Sequence, residues 1–407
     1  MKVLFLTPRP PHAHSFSGDQ IVYQRMTKLL ARGHEVGLFT LTEPSDSPAW
    51  FDDLPKVHAF HRTTLRRPPR EGQGQRRPDA LITRAYFRSY YQKGIKRELG
   101  KVVAEGGYAV VVAEFTAMGQ YLHRNPYLPA VRRVLSCHES PTLHNQRVVY
   151  KLPLGSPASF FGWLEWQKTR QVESTLQRHA DALVCLTPED KTGLQHLIPD
   201  GRIEVVPPGV DLQHFQPADI SRAEHALVFT GRLNHPQNLD AMLWFLREVW
   251  PAVKAEHPFA LLLLAGYQPP PELRRLAQGD EQVELILDPP DVREVLRRAK
   301  IFINPMRSGT GMRPKVLEPM AMGLSVVSTR IGAQGLAIHP GVSGFLADTA
   351  EEMAATINRV LRDDELRASV AKAARDRVEA RFNWKRSADK LEALLADLCQ
   401  PRHFAVG

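Results

Sequence analysis

Residues 301–329, IFINPMRSGTGMRPKVLEPMAMGLSVVST, constrain this chain most. Ile301 to Pro305 is a short apolar run ending at proline, which suits a buried parallel strand. Arg307 to Gly311 (RSGTG) is a small turn whose glycines let bare backbone N–H groups approach an anion. From about Arg313 a helix is expected, with Val316, Leu317, Met320 and Ala321 as its apolar stripe and Gly323 as its stop. Ser325 to Ser328 is the next strand. The first N–H groups of a helix lack partners within it, so strand, glycine turn and helix start together form an anion seat. Arg313 and Lys315 fall in the first turn, where they oppose the helix dipole; a bound diphosphate reverses that sign. Glu318, if it faces the same groove, has the valence to accept two sugar hydroxyls. The competing reading is an ordinary strand–helix turn with surface cations.

A chain of 407 residues exceeds one ordinary domain, and two are expected. Its 43% hydrophobic and 24% charged content is that of a globular protein. No run reaches the roughly eighteen apolar residues of a spanning helix. The opening MKVLFLTPRPP breaks at proline too soon for a signal peptide and reads as a first strand. Cys137, Cys185 and Cys399 have no CxxC or His-rich spacing, which argues against a disulfide framework and a structural zinc and fits a reducing cytoplasm.

The charge is uneven. Through residue 210 there are 28 Lys and Arg against 19 Asp and Glu, whereas the remainder carries 25 of each. A basic N-terminal half points to an anionic partner, or simply to solubility. Nucleic acid finds no support in a helix-turn-helix, zinc finger or RNP-like motif. Residues 62–97 hold eleven cations against Glu71 and Asp79. Their first half is Pro/Gly-rich and expected as a mobile loop. Their second half, RAYFRSYYQKGIKREL, sets Tyr86, Phe87, Tyr90 and Tyr91 among cations at helical spacing. That pattern suits an anionic membrane surface, or a helix packing its aromatics into its own domain.

Strands and helices alternate along the whole chain. Lys2–Thr7, Glu35–Leu41, Tyr108–Glu114, Arg133–Ser136, Ala182–Leu186 and Ile203–Val206 read as strands of a first sheet. His225–Thr230, Phe259–Ala265, Val283–Leu287, Ile301–Asn304 and Ser325–Ser328 belong to a second. Ile21–Arg32, Trp163–His179 and Leu239–Val253 read as helices, and Gly231 to Asn234 as a turn. Pro207 to Asp211 (PPGVD) is a hinge. The fold class is α/β, with two doubly wound Rossmann-like domains facing across a cleft. The expected boundaries are 1–207 for the first domain and 208–383 for the second, to which the resemblance given below assigns the acceptor side and the nucleotide sugar in that order. Residues 384–407 form a C-terminal helix and tail, a candidate to pack back on the first domain.

Polar and glycine-bearing groups collect at carboxyl strand ends, where ligands of open α/β sheets bind: Gly18, His138, Glu139, Arg232, the 307–311 turn, Arg313, Lys315 and Glu318. The first strand runs into PRPPHAHSFSGD rather than GxGxxG, which excludes a nicotinamide site of that type. GKS and GKT are absent, which excludes a standard P-loop. No DxD or His/Asp cluster suggests a metal. Cations converging on one anion, a glycine turn and a carboxylate for hydroxyls suit a diphosphate joined to sugars, the cations neutralising the leaving group in place of Mg²⁺.

GTGMRPKVLEPMAMGLSVVST, with GVDLQHFQP at the hinge, FTGRLNHPQNLDAMLWF and the final RFNW, resembles glycosyltransferase family 4 of the GT-B fold. The bacterial branch of exopolysaccharide clusters, with its PNVDAxxWF and GTRxKVLEAMAxG patterns, is the most similar. The resemblance spans nearly the whole chain and is strongest after residue 203. It implies retaining, metal-independent sugar transfer without a cofactor, from a UDP- or GDP-sugar to a glycan or lipid-linked acceptor. The expected setting is the cytoplasm, at the inner face of the membrane where the basic domain meets anionic lipid. A nucleotide-sugar epimerase or hydrolase of the same fold, and a non-catalytic binding module, are the alternatives. By motif, Glu318 matches the second of the family's paired glutamates, on the donor ribose. Arg232 matches the GR arginine on the diphosphate, His138 the histidine beside the donor sugar, and Gly18 the loop glycine near the phosphates. Two departures stand out. Thr310 replaces the first motif glutamate, and NHPQN stands where a lysine usually follows GR. The resemblance then leaves the phosphate to Arg313 or Lys315 and the sugar to backbone at Gly309, Thr310, Gly311 and Met312, beside Ser308. His138, Arg232 and Lys315 are the catalytic candidates, with His144 as an alternative to His138. Trp244 and Phe245 are expected in the core and Asp291 as a helix N-cap.

Overall fold

The computed structural model describes residues 1–13, 18–42, 54–64, 81, 84–217 and 225–400. The chain forms two compact units. One draws on Met1–Arg70, Leu81–Pro207 and Trp384–Gly407, and the other is built on Pro208–Asn383.

In the first unit, seven strands pair in parallel: β1 (Lys2–Thr7), β2 (Glu35–Thr42), β3 (Ala59–Thr64), β4 (Val110–Glu114), β5 (Arg132–Cys137), β6 (Ala182–Cys185) and β7 (Ile203–Val205). Their order is β3-β2-β1-β4-β5-β6-β7, so the winding reverses between β1 and β4. Strands such as KVLFLT and VVVAE are apolar at nearly every position because helices cover both sheet faces. Leu4 and Leu6 enter one core; Val3 and Phe5 enter another on the opposite face. The helix Trp384–Cys399 closes that second core with Leu391, Leu394, Leu395 and Leu398. His34 Nε2 and Glu392 Oε1, 2.6 Å apart, tie its outer side to the chain after the helix Gly18–Leu30.

The second unit repeats the plan with six parallel strands: β8 (Ala226–Arg232), β9 (Leu261–Tyr267), β10 (Val283–Leu287), β11 (Ile301–Asn304), β12 (Ser325–Ser328) and β13 (Phe345–Leu346). Their order, β10-β9-β8-β11-β12-β13, reverses between β8 and β11. Doubly wound sheets bind ligands beyond the carboxyl ends of the strands at such a reversal.

Several elements differ from expectation, each for a local reason. The helix expected over Leu239–Val253 is broken by a wider turn at Phe245–Val249, because Pro251 has no N–H to continue the ladder. RAYFRSYYQKGIKREL forms two helices, Arg84–Ser89 and Lys93–Gly106. Phe87 is buried with Ala117 and Leu176, and Tyr86 and Tyr90 pack against them. Tyr91 stacks on Tyr121 at 6.1 Å. Phe87, Tyr86 and Tyr90 therefore pack into their own unit, while Tyr91 remains 46% exposed. Arg66 to Arg77 lie outside the described residues. β8 continues through Arg232, so Gly231 and Arg232 end a strand rather than open a turn. The helix expected from Arg313 begins as a tight 3₁₀ turn, Pro314–Val316, and is α-helical only over Leu317–Ala321. Phe245 is buried in the core, and Trp244 packs against it from a half-buried position. The Asp291 carboxylate caps the next helix by accepting from the Arg293 N–H at 2.9 Å.

Candidate active site

The β8–β11 reversal gathers the polar groups of the second unit. Gly231 (φ 151°) lies opposite Gly266 of β9 (φ 157°). A Cβ on Gly266 would fall 1.7 Å from the Gly231 carbonyl oxygen, so only glycine allows these strand ends to lie side by side. Arg232, the next residue, is exposed and has no acidic partner among the described residues. The helix Pro236–Trp244 starts just beyond it, and Asn238 joins three segments there. Its Nδ2 donates to the Arg232 carbonyl at 2.8 Å, and its Oδ1 accepts from Lys315 Nζ at 3.1 Å. The Lys315 ammonium also sits over the Phe229 ring, 3.8 Å from its centre.

The loop after β11 is held by its own arginine. Arg313 donates to the carbonyls of Thr310 (2.7 Å), Ser308 (3.1 Å) and Gly311 (3.3 Å). Gly309 and Gly311 adopt φ of 107° and 77°, which allows the backbone to turn those carbonyls inward. Arg307 turns away to pair with Asp240 at 2.6 Å and to cover Trp244. The Ser308 hydroxyl, the Thr310 hydroxyl and Glu318 Oε2 are buried without hydrogen-bond partners. Three such atoms in one loop-and-helix segment are open to hydrogen bonds from a polar ligand.

The electrostatics agree. Burial and the neighbouring Arg313 hold the Lys315 ammonium well below the usual lysine range, with Glu318 opposing them. Burial pushes the Glu318 carboxyl up to about 8, with Lys315 pulling the other way. The His235 imidazole, crowded by protein and faced by Arg313, Arg232 and Lys315, is pushed down to about 4. Three cations, Arg232, Arg313 and Lys315, thus face one imidazole, and Glu318 is the acidic group set against Lys315; such a cluster suits an anionic ligand. Among the described residues, no three His, Cys, Asp or Glu side chains come together to hold a metal.

The reversal in the first unit carries its own cluster. Glu114 ends β4 fully buried, where Arg25 Nη1 donates to both its oxygens at 3.1 Å and His138 Nε2 lies 2.7 Å from Oε2. Burial alone would raise the Glu114 carboxyl, but Arg25 and His138 outweigh it and hold the group at about 2. Phe115 takes φ 71°, rare for a bulky residue, and its ring stacks on His138 at 4.2 Å. His138 Nδ1 is buried and unpartnered. A Cβ on Gly18 would fall 2.6 Å from that nitrogen, so the start of the first helix lies against the imidazole.

Comparison with known proteins bears on both units. The profile of Glycosyltransferase Family 4 matches residues 20–214, and that of Glycosyl transferases group 1 matches residues 224–363. The chain belongs to glycosyltransferase family 4. The D-inositol 3-phosphate glycosyltransferase of Geodermatophilus obscurus is 27% identical over 94% of this chain and 85% of its own length. The Nocardiopsis dassonvillei protein of the same name is 28% identical over 56% of this chain and 59% of its own. HepE of Anabaena, crystallised in complex with UDP, superposes with a TM-score of 0.69 over 98% of this chain and all of its own, at 16% identity. The fold is GT-B, with two Rossmann-like domains.

In this glycosyltransferase, Arg232, Ser308 to Arg313, Lys315 and Glu318 share one site in the second unit, while Gly18 and His138 meet in the first. Glu139 contributes its carbonyl to the Thr116 hydroxyl at 2.9 Å, and Ser140 caps the helix Pro141–Val149, in which His144 is buried. Sequence reasoning missed Asn238, Arg25 and Glu114. The available signals were a polar pair, Gln237 and Asn238, where the family's lysine is absent, and two charges set into apolar runs.

Proposed function

We propose that this enzyme transfers a sugar from a UDP- or GDP-sugar, with retention at the anomeric carbon and without a metal ion, to a glycan or lipid-linked acceptor of polysaccharide biosynthesis. Transfer takes place on the cytoplasmic side, at an anionic membrane surface. The observation that carries this reading is the convergence of Arg232, Arg313 and Lys315 on His235 at the β8–β11 reversal, with the buried Glu318, whose Oε2 has no hydrogen-bond partner, beside Lys315. Arg232 and Lys315 neutralise the departing diphosphate. Glu318 accepts from the ribose hydroxyls. Backbone at Gly309, Thr310, Gly311 and Met312, with the Ser308 and Thr310 hydroxyls, holds the sugar. Arg313 serves by keeping that loop closed. His138 acts in transfer rather than in donor binding, and Gly18 keeps room for its imidazole. HepE was crystallised with UDP, which makes UDP the first donor probe.

Calorimetry with UDP and GDP, with and without EDTA, tests the site. Binding that survives EDTA and is lost in Arg232→Ala and Glu318→Ala is expected. Wild-type affinity in both variants would remove the assignment. NMR of the product anomer tests retention, and release of free sugar from donor alone would favour a hydrolase instead.

A further inference from the structure

The helices Pro141–Val149 and Pro157–Gln177 form a packed hairpin whose tip is apolar and bare. Leu154 is 100% exposed, Tyr150 73%, Phe161 64%, Phe160 59% and Trp163 46%. A water-soluble surface seldom gathers so many large side chains in one stretch of chain. The tip is an ordered structure. Ser156 caps the second helix by accepting from the Ser159 N–H at 3.1 Å, and Gly155 turns the chain at φ 76°. Buried Gly162 brings that helix against Leu152 and Val149; a Cβ there would lie 3.1 and 3.3 Å from their side chains. The rings of Phe160 and Phe161, 5.8 Å apart, and of Tyr150 and Trp166, 5.9 Å apart, brace one another.

Cations flank the apolar tip. Residues 147–170 contain Arg147, Lys151, Lys168 and Arg170 against Glu165, which pairs with Lys168 at 2.6 Å, while Arg147 faces Asp190 and Glu189 of the helix Pro188–Leu197. Tyr, Trp and Phe at a tip with basic side chains behind it is the composition of an interfacial anchor on anionic lipid. The core of a protein–protein interface, by contrast, is depleted in lysine. The aromatic stretch at residues 86–91 offers less, because Phe87, Tyr86 and Tyr90 pack inside the unit and of its four rings Tyr91 alone is exposed.

From this we infer that the hairpin tip at Tyr150–Trp163 inserts into the interface of an anionic membrane, resting on the reading above that the acceptor lies at such a surface. The first helix of the hairpin begins three residues after His138 and runs nine residues, about 13 Å, toward the tip. An anchored tip therefore sets the height of the His138 site above the lipid, within reach of a lipid-linked acceptor's head.

The test floats the full-length protein with vesicles of phosphatidylcholine mixed with phosphatidylglycerol, and with phosphatidylcholine alone. The variants are Leu154→Ser, Phe160→Ser and Phe161→Ser combined, and Lys151→Glu with Arg170→Glu. All five positions are exposed, and unchanged melting and UDP binding serve as controls. The wild type is expected to float with the mixed vesicles. The triple variant should lose roughly tenfold or more in apparent vesicle affinity, in keeping with the apolar area removed. The charge variant should lose most of the preference for phosphatidylglycerol. A wild type that floats with neither vesicle, or a triple variant that floats as well as the wild type, overturns the inference. So does a wild-type dimer that the triple variant dissolves, which would assign the tip to a second copy of the chain. UDP binding is read separately, so failure of the donor site and failure of the anchor are distinguishable.

Discussion

Glu114 Oε2 lies 2.7 Å from His138 Nε2, and the same carboxylate is held from behind by Arg25. The contact fixes the ring: Nε2 carries the proton, and the unpartnered Nδ1 faces the first residue of the helix Gly18–Leu30. A carboxylate, a cation and an imidazole from three separate elements thus define one orientation of a single nitrogen.

Acid stability should reveal this triad. Glu114 is held at about 2, below the value of an unfolded carboxyl, so its contribution is present above about pH 4.5 and is lost as pH falls toward 2. For a buried group the shift corresponds to something on the order of 3 kcal/mol. Glu114→Gln should cost about 3–5 kcal/mol at pH 7, because Arg25 is left buried without its partner. The variant should also show a shallower stability loss between pH 4.5 and 2. Urea titrations across that range decide the matter; parallel curves for the two proteins would count against the triad.

Glu318 carries the opposite sign. Its carboxyl is raised to about 8, so its folded-state contribution is fully present below about pH 4.5 and is lost as pH rises through 8. Glu318→Gln should therefore stabilise the ligand-free protein at pH 8.5, by on the order of 1–2 kcal/mol, and change little at pH 5. At pH 8.5, where the carboxyl is largely ionised, the same substitution should weaken UDP by tenfold or more, since a ribose hydroxyl loses an ionised acceptor. Melting curves at the two pH values, paired with calorimetry, check both halves. A variant that gains no stability at pH 8.5 would show that the carboxyl is not strained in the empty site.

Both sheets were legible because their central strands are apolar on both faces, a pattern that surface segments do not imitate. The 301–329 stretch was legible as strand, glycine turn, helix and strand for the same reason. The placement of Arg313 was not. It depends on Gly309 and Gly311 turning three carbonyls toward a side chain, and spacing does not encode φ. Arg25 and Glu114 were hidden by separation, lying 89 residues apart and meeting only once the sheet has closed. An arginine amid Ile21, Val22 and Met26, and a glutamate ending VVVA, were the signs of a buried ion pair. Pro251 within the apolar stripe of 239–253 was likewise the visible cause of the broken helix. The exposed tip at 150–163 left no trace in the periodicity: the helix was expected only from Trp163, whereas it begins at Pro157 and carries Phe160 and Phe161.

Gly309 offers a local test of the loop. A Cβ there would fall 2.1 Å from Arg313 Nη2 and 2.7 Å from Gln237 Oε1, in a conformation that side chains disfavour. Gly309→Ala should displace the Arg313 guanidinium and release the Ser308 and Thr310 carbonyls. The strain, about 1–3 kcal/mol, falls on a loop and should leave the cooperative melt intact. UDP-sugar affinity should drop more than UDP affinity, because the loop is assigned to the sugar. Equal losses for the two ligands, measured by calorimetry, would place the loop on the nucleotide instead.

Lys315 should report its own neutralisation. In the empty site, burial and Arg313 hold its ammonium well below the usual lysine range, so it gives up its proton more readily than an exposed lysine does. A diphosphate beside it supplies the counter-charge that Asn238 and the Phe229 ring only partly provide. UDP binding should then take up protons, and the uptake should grow with rising pH as more of the free lysine is deprotonated. Lys315→Met should abolish this component and weaken UDP by tenfold or more. Calorimetry in buffers of different ionisation enthalpy measures the protons directly. If the wild type and Lys315→Met exchange the same number of protons at every pH, Lys315 is not the cation that meets the diphosphate, and Arg232 would have to do so alone.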